Sequence, residues 1–149
     1  MRSKQLILED KTVYLRLSAS KLAEYASKIG SSGNTLFAVM DALDNLENQA
    51  ALFEAALSYK GNPNEIHDGY ELIDMLADAG YSPIGIKELI INLAVGAGVI
   101  SNGDAAKIIS AIKAGSDKLY EAAVAVLSGD MSSLPAAQQE ANNTEENPT

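Results

Sequence analysis

Residues 35–57 read TLFAVMDALDNLENQAALFEAAL, and within them Leu36, Val39, Leu43, Leu46, Ala50, Phe53 and Leu57 recur at spacings of three and four. That spacing puts seven apolar side chains on one stripe of an α-helix. In a chain of 149 residues such a stripe more often faces the chain's own core than a coiled-coil partner. A break near Asp44-Asn45 stays open as an alternative to one long helix. On the polar side Asp41, Asp44 and Glu47 recur every three residues, where their ordinary work is to keep that side in water.

Local punctuation extends the helical reading in both directions. Upstream, Ser18 is a candidate N-cap for a helix from about Ala19 to Ile29, with Leu22, Tyr25, Ala26 and Ile29 on one face and Gly30 as its stop. Ser31-Ser32-Gly33 reads as a loop, with Asn34 or Thr35 capping the long apolar-striped segment. Downstream, Lys60-Gly61-Asn62-Pro63 ends that segment. Asn64 then reads as the cap of a helix from about Glu65 to Ala79, with Ile66, Tyr70, Ile73 and Leu76 inward and a stop at Gly80. Ser82-Pro83 pairs a cap with a proline at the first helical position. The helix it starts holds Leu89, Ile90, Leu93 and Ala94 as its core face, while Ile86, Ile91 and Val95 make it apolar nearly all round.

At the N-terminus, Lys4 to Glu9 and Thr12 to Leu17 alternate in the manner of strands and suggest a β-hairpin. Asp10-Lys11 joins them as a two-residue turn or as part of a longer loop. Beyond Ser101-Asn102-Gly103-Asp104 come two further helical stretches separated by Gly115-Ser116, which read as an αα-hairpin. After Gly129 the chain turns to Gln, Asn, Glu and Thr without apolar pattern or basic residue, the composition of a disordered tail. The expected fold is mainly α. It is a multi-helix domain over 1–129, comprising a hairpin (1–18), a helical body (19–100) and the αα-hairpin (101–129), with a disordered C-terminal tail over 130–149.

Composition narrows the function. A net charge of −9 argues against nucleic acid or an anionic membrane as the main partner, since both recruit clustered Lys and Arg. The charge is also uneven: residues 1–28 carry six basic and three acidic groups, a net of +3, whereas 29–83 carry Lys60 against nine acids, a net of −8. Complementary patches of this kind suit a head-to-tail oligomer, although a solvated acidic face explains them as well. With no Cys there is no disulfide framework and no thiolate site, which fits a reducing cytoplasm. The short apolar stretch Leu6 to Leu8 is too brief for a signal-peptide core. Ile84 to Ile100 is interrupted by Lys87, Glu88 and Asn92, so it reads as a buried helix and not as a membrane span.

Chemistry-bearing constellations are thin. The single histidine, His67, would share a helical face with Glu71 and Asp74, but an acidic neighbourhood around a helical His is commonplace without a full ligand set. No Gly-x-Ser-x-Gly elbow accompanies the serines. Gly96-Ala97-Gly98 lacks the remaining spacing of a nucleotide loop and suits close helix packing or a helix ending. No enzyme, metal or cofactor is expected. Surplus apolar surface is the better lead: Ile108, Ile109, Ile112, Leu119, Tyr120 and Val124 of the late hairpin exceed what one peripheral hairpin needs to dock. They are candidates for a partner-binding groove unless they complete the domain core.

Four stretches have a familiar order. They are Tyr14-Leu15-Arg16-Leu17-Ser18 in the hairpin, Lys28-Ile29-Gly30 closing the first helix, Asp68-Gly69-Tyr70-Glu71-Leu72-Ile73-Asp74, and the apolar run from Ile86 to Ser101 ending Gly98-Val99-Ile100-Ser101. Over residues 4–101 this order resembles the tail assembly chaperones of long-tailed bacteriophages of the Gram-positive siphophage type. The resemblance implies a non-catalytic, self-associating protein that binds the long, hydrophobic, helical tape measure protein. It would keep that client soluble in the host cytoplasm during tail assembly. It also implies a longer form of the same protein made by frameshifting, to which the polar tail from Asp130 would be a tether. A structural virion subunit such as a head–tail adaptor needs the same helices and self-association and is the alternative.

Overall fold

A computed structural model describes residues 3–30, 35–115 and 126. The loop at 31–34, the second helix of the late hairpin and the polar tail therefore lie outside the described residues. The architecture is mainly α, with β1 (Lys4–Leu8) and β2 (Lys11–Leu15) preceding α1 (Ala19–Lys28), α2 (Thr35–Asp44), α3 (Leu46–Leu57), α4 (Gly69–Asp78), α5 (Pro83–Gly96) and α6 (Asn102–Ala114). The chain divides into two compact units, Met1–Ser101 and Asn102–Thr149.

The first unit is organised around α3, which packs against α1, α2, α4 and β2. A helix touched from so many sides must be apolar around most of its girth. Leu52, Phe53, Ala56 and Leu57 are accordingly fully buried, and Ala50 nearly so. The stripe is thus internal, and the break falls where the polar pair interrupts it. Asn45 leaves helical geometry (φ −131°, ψ 115°) and its side chain accepts the Asn48 N–H, capping α3. Six of the seven stripe residues are buried; Leu46, in the first turn of α3, is 59% exposed. Across the break the buried Gln49 amide donates to the Ala42 carbonyl at 3.2 Å, tying α3 to the last turn of α2.

β1 and β2 pair antiparallel with Leu6 opposite Val13 and Leu8 opposite Lys11, so the turn is Glu9-Asp10 and not Asp10-Lys11. Leu6, Leu8, Val13, Leu15 and Leu17 face the core. Glu9 sits at φ 57°, the left-handed region that two-residue hairpin loops demand of their first residue and that side chains with a Cβ resist. Glu9→Gly is expected to stabilise the domain by about 0.5–1 kcal/mol, the relief of that strain less the backbone entropy of glycine. Urea denaturation checks this; a lower midpoint would contradict it.

Ser18, Asp68 and Ser82 cap α1, α4 and α5 through side-chain acceptance of the Lys21, Tyr70 and Gly85 N–H groups, respectively. The Tyr25 hydroxyl of α1 donates to the Ala38 carbonyl at 2.6 Å. Burial, with the Asp41 carboxylate adding to it, pushes this phenol above the usual tyrosine range, so it remains a neutral donor. Gly98, with φ 82°, terminates α5 as the Val99 N–H closes back on the Ala94 carbonyl, so the helix-ending reading of this glycine holds.

α4 starts later than its apolar pattern suggests. Asn64 is not its cap; the side chain is buried and turned toward β2, accepting the Tyr14 N–H at 2.8 Å while donating to the Tyr14 and Leu57 carbonyls at 2.7 and 3.1 Å. Residues 61–68 therefore run as a connector, and the helix begins at Gly69 against the Ala50 backbone of α3. Gly69, Leu72 and Leu76 form the buried face, Tyr70 is 46% exposed, and Ile73 is half-buried. In the second unit, Ala105, Ile108, Ala111 and Ile112 are the buried residues of α6.

Candidate partner-binding surface

Leu46, exposed in the first turn of α3, forms one wall of a cleft. Leu43 and Asp44 come from the end of α2, Asn45 from the break, Leu46 and Gln49 from α3, Ile73 from α4, and Pro83, Ile86 and Lys87 from α5. Its volume is about 310 Å³, at the small end of ligand pockets. The walls are mainly aliphatic. On the rim Lys87 Nζ lies 3.7 Å from Asp44 Oδ1, an ion pair exposed enough to contribute little to stability. Apolar exposure continues beyond the cleft at Tyr70, one turn before Ile73 on α4, and at Ile84, 41% exposed in the first turn of α5.

A hollow of this kind suits one or two apolar side chains of a partner. Its polar lining is Asp44, Asn45, Gln49 and Lys87. A second hollow, of about 210 Å³, holds His67 with Glu24, Tyr25, Lys28, Ala51, Glu54, Ala55 and Ser58. There Lys28 Nζ lies 3.7 Å from Glu54 Oε1. Because α4 begins at Gly69, His67 precedes the Asp68 cap and shares no helical face with Glu71 and Asp74. Among the described residues no group of three or more His, Asp or Glu is placed to hold a metal ion, and no helix is long and apolar enough to cross a membrane.

Of the six candidate anchors in the late hairpin, Ile108, Ile109 and Ile112 lie on α6. Ile108 and Ile112 are buried and Ile109 is half-buried. Leu119, Tyr120 and Val124 are outside the described residues. The cleft in the first unit is a different surface, missed by sequence reasoning because Leu46 and Ile73 both carry core-like periodicity. The one signal for it is Asn45, a strong capping residue set inside the apolar stripe. Compared with known protein families, curated proteins and solved structures, the chain matches none of them.

Proposed function

We propose that this chain is a non-catalytic chaperone that holds an apolar helix of another polypeptide, and that its client is the tape measure protein of a long-tailed bacteriophage in the host cytoplasm. The observation that carries the helix-binding part is the aliphatic cleft with Leu46, Ile73, Pro83 and Ile86 around it. The client's identity rests on the resemblance over residues 4–101. An amphipathic helix laid across such a cleft inserts residues one turn apart. Each buried aliphatic side chain is worth on the order of 1.5–3 kcal/mol, weak enough for release. Several copies along one long client would supply the avidity that a single copy lacks.

Coexpression tests the reading. The chain is expected to keep a long helical tape measure candidate soluble and to copurify with it. Leu46→Glu is expected to reduce the copurified client roughly tenfold, the effect of losing about 1.4 kcal/mol, without loss of fold, since Leu46 is largely exposed. A client left insoluble and unbound beside the unmodified chain would sink the proposal. Retention of the chain in purified virions would point to a structural subunit instead.

A further inference from the structure

The hairpin has one closed edge and one open edge, and the register shows which groups the open edge presents. In an antiparallel pair, opposed residues alternate between those that bond each other and those whose N–H and C=O point away. Leu8 and Lys11 flank the two-residue turn, so they bond each other, as do Leu6 with Val13 and Lys4 with Leu15. Gln5 with Tyr14 and Ile7 with Thr12 then point outward. Tyr14 bears this out, since both its backbone groups are bonded to Asn64 on the far side of β2. The Arg16 N–H continues that edge to the Ala56 carbonyl at 2.9 Å. At Tyr14 and Arg16 the edge of β2 is closed by the chain itself.

Across the ladder, Gln5 and Ile7 turn two N–H and two C=O groups away from β2, and no backbone or side-chain partner meets them among the described residues. Gln5 is exposed and Ile7 is 72% exposed, both on the sheet face opposite Leu6 and Leu8. An unpaired edge beside an exposed Ile is a template for another strand.

We propose that the strand is β1 of a second copy, running antiparallel with Gln5 opposite Ile7 of that copy. This deepens the proposed function by naming a surface for self-association, and it rests on that reading only for the use of more than one copy. The register is self-complementary. Around a twofold axis at Leu6, Gln5 meets Ile7 of the second copy and Ile7 meets its Gln5, so every outward group finds a partner and two hairpins become one four-stranded sheet.

The test is amide exchange of the full chain by NMR across a dilution series, with sedimentation on the same samples. Expected is a dimer at high concentration in which the Gln5 and Ile7 amides gain at least about tenfold protection, while the Leu6 and Leu8 amides, bonded within the hairpin, stay protected throughout. Ile7→Pro deletes an outward N–H without removing a hairpin bond. Ile7→Lys keeps that N–H and the fold but sets a charge on the edge. Both are expected to weaken dimerisation at least about tenfold, and failure of the proline variant to fold leaves the lysine variant to decide. A dimer whose Gln5 and Ile7 amides exchange freely, or a chain monomeric at every concentration, would overturn the pairing. A monomer that still captures the helical client would overturn the pairing alone. A dimer protected at β1 that captures no client would uphold the pairing and remove the proposed function.

Discussion

Gly69→Ala is expected to destabilise the domain by about 3 kcal/mol or more, lowering Tm by roughly 10 °C. A Cβ at this position would land on the Ala50 carbonyl oxygen, with the Ala50 carbonyl carbon at 2.6 Å and Cα at 2.8 Å. These are backbone atoms of the central helix, so no side-chain rotation relieves the overlap. Either α4 lifts away from α3 or α3 bends, and both disturb the burial of Leu72 and Leu76. Gly96→Ala is the matched control. It lies at the end of α5 with nothing within 4 Å of the added carbon, and it is expected to be neutral or stabilising by up to about 1 kcal/mol. Thermal or urea unfolding of the two variants checks the pair; similar effects at both sites would contradict the close approach of α4 to α3.

Asn64→Ala is expected to cost about 3 kcal/mol. The substitution removes three hydrogen bonds and leaves the Tyr14 N–H together with the Tyr14 and Leu57 carbonyls without their partner. Groups deprived of a partner in a buried site lose more than the net worth of the bond. Asn64→Asp keeps the size of the side chain but replaces the donating amide nitrogen by an oxygen that faces two carbonyls, so it is expected to be at least as damaging. Denaturation midpoints of the two variants measure this. If Asp were tolerated while Ala was not, shape and not the pattern of donors would be holding β2 to the connector.

These two positions also mark where the sequence is legible and where it is not. Ser18 and Ser82-Pro83 can be read directly because a cap is satisfied by N–H groups two or three residues away. Asn64 looks the same in sequence, yet its side chain is taken by Tyr14, fifty residues away. With that amide engaged, the helix starts at Asp68 and Gly69 instead. The hairpin turn is hidden for a related reason. Sliding the pairing by two residues preserves which side chains face inward, so alternation alone cannot choose between the registers. The lock on Tyr14 and the left-handed Glu9 belong to the register observed.

The candidate cleft is harder to foresee. Leu46 continues the apolar stripe and Ile73 fits its own helix, and each on periodicity alone belongs in a core. The exposure of Leu46 comes from the break at Asn45, which sets it in the first turn of α3, while Ile73 stays half-buried beside it. Ile108, Ile109 and Ile112 have the reverse character. Their apolar spacing is legible, but the burial of Ile108 and Ile112 on α6 is not.

The claim that most of the functional account depends on is that an apolar helix seats on Leu46, Ile73 and Ile86. It is tested most directly by methyl NMR of the full chain titrated with a synthetic amphipathic helical peptide bearing Leu and Ile one turn apart. Expected are saturable shifts of the Leu43, Leu46, Ile73 and Ile86 methyls that vanish in Leu46→Glu. A peptide that leaves those methyls unmoved, or that binds Leu46→Glu equally well, would contradict it.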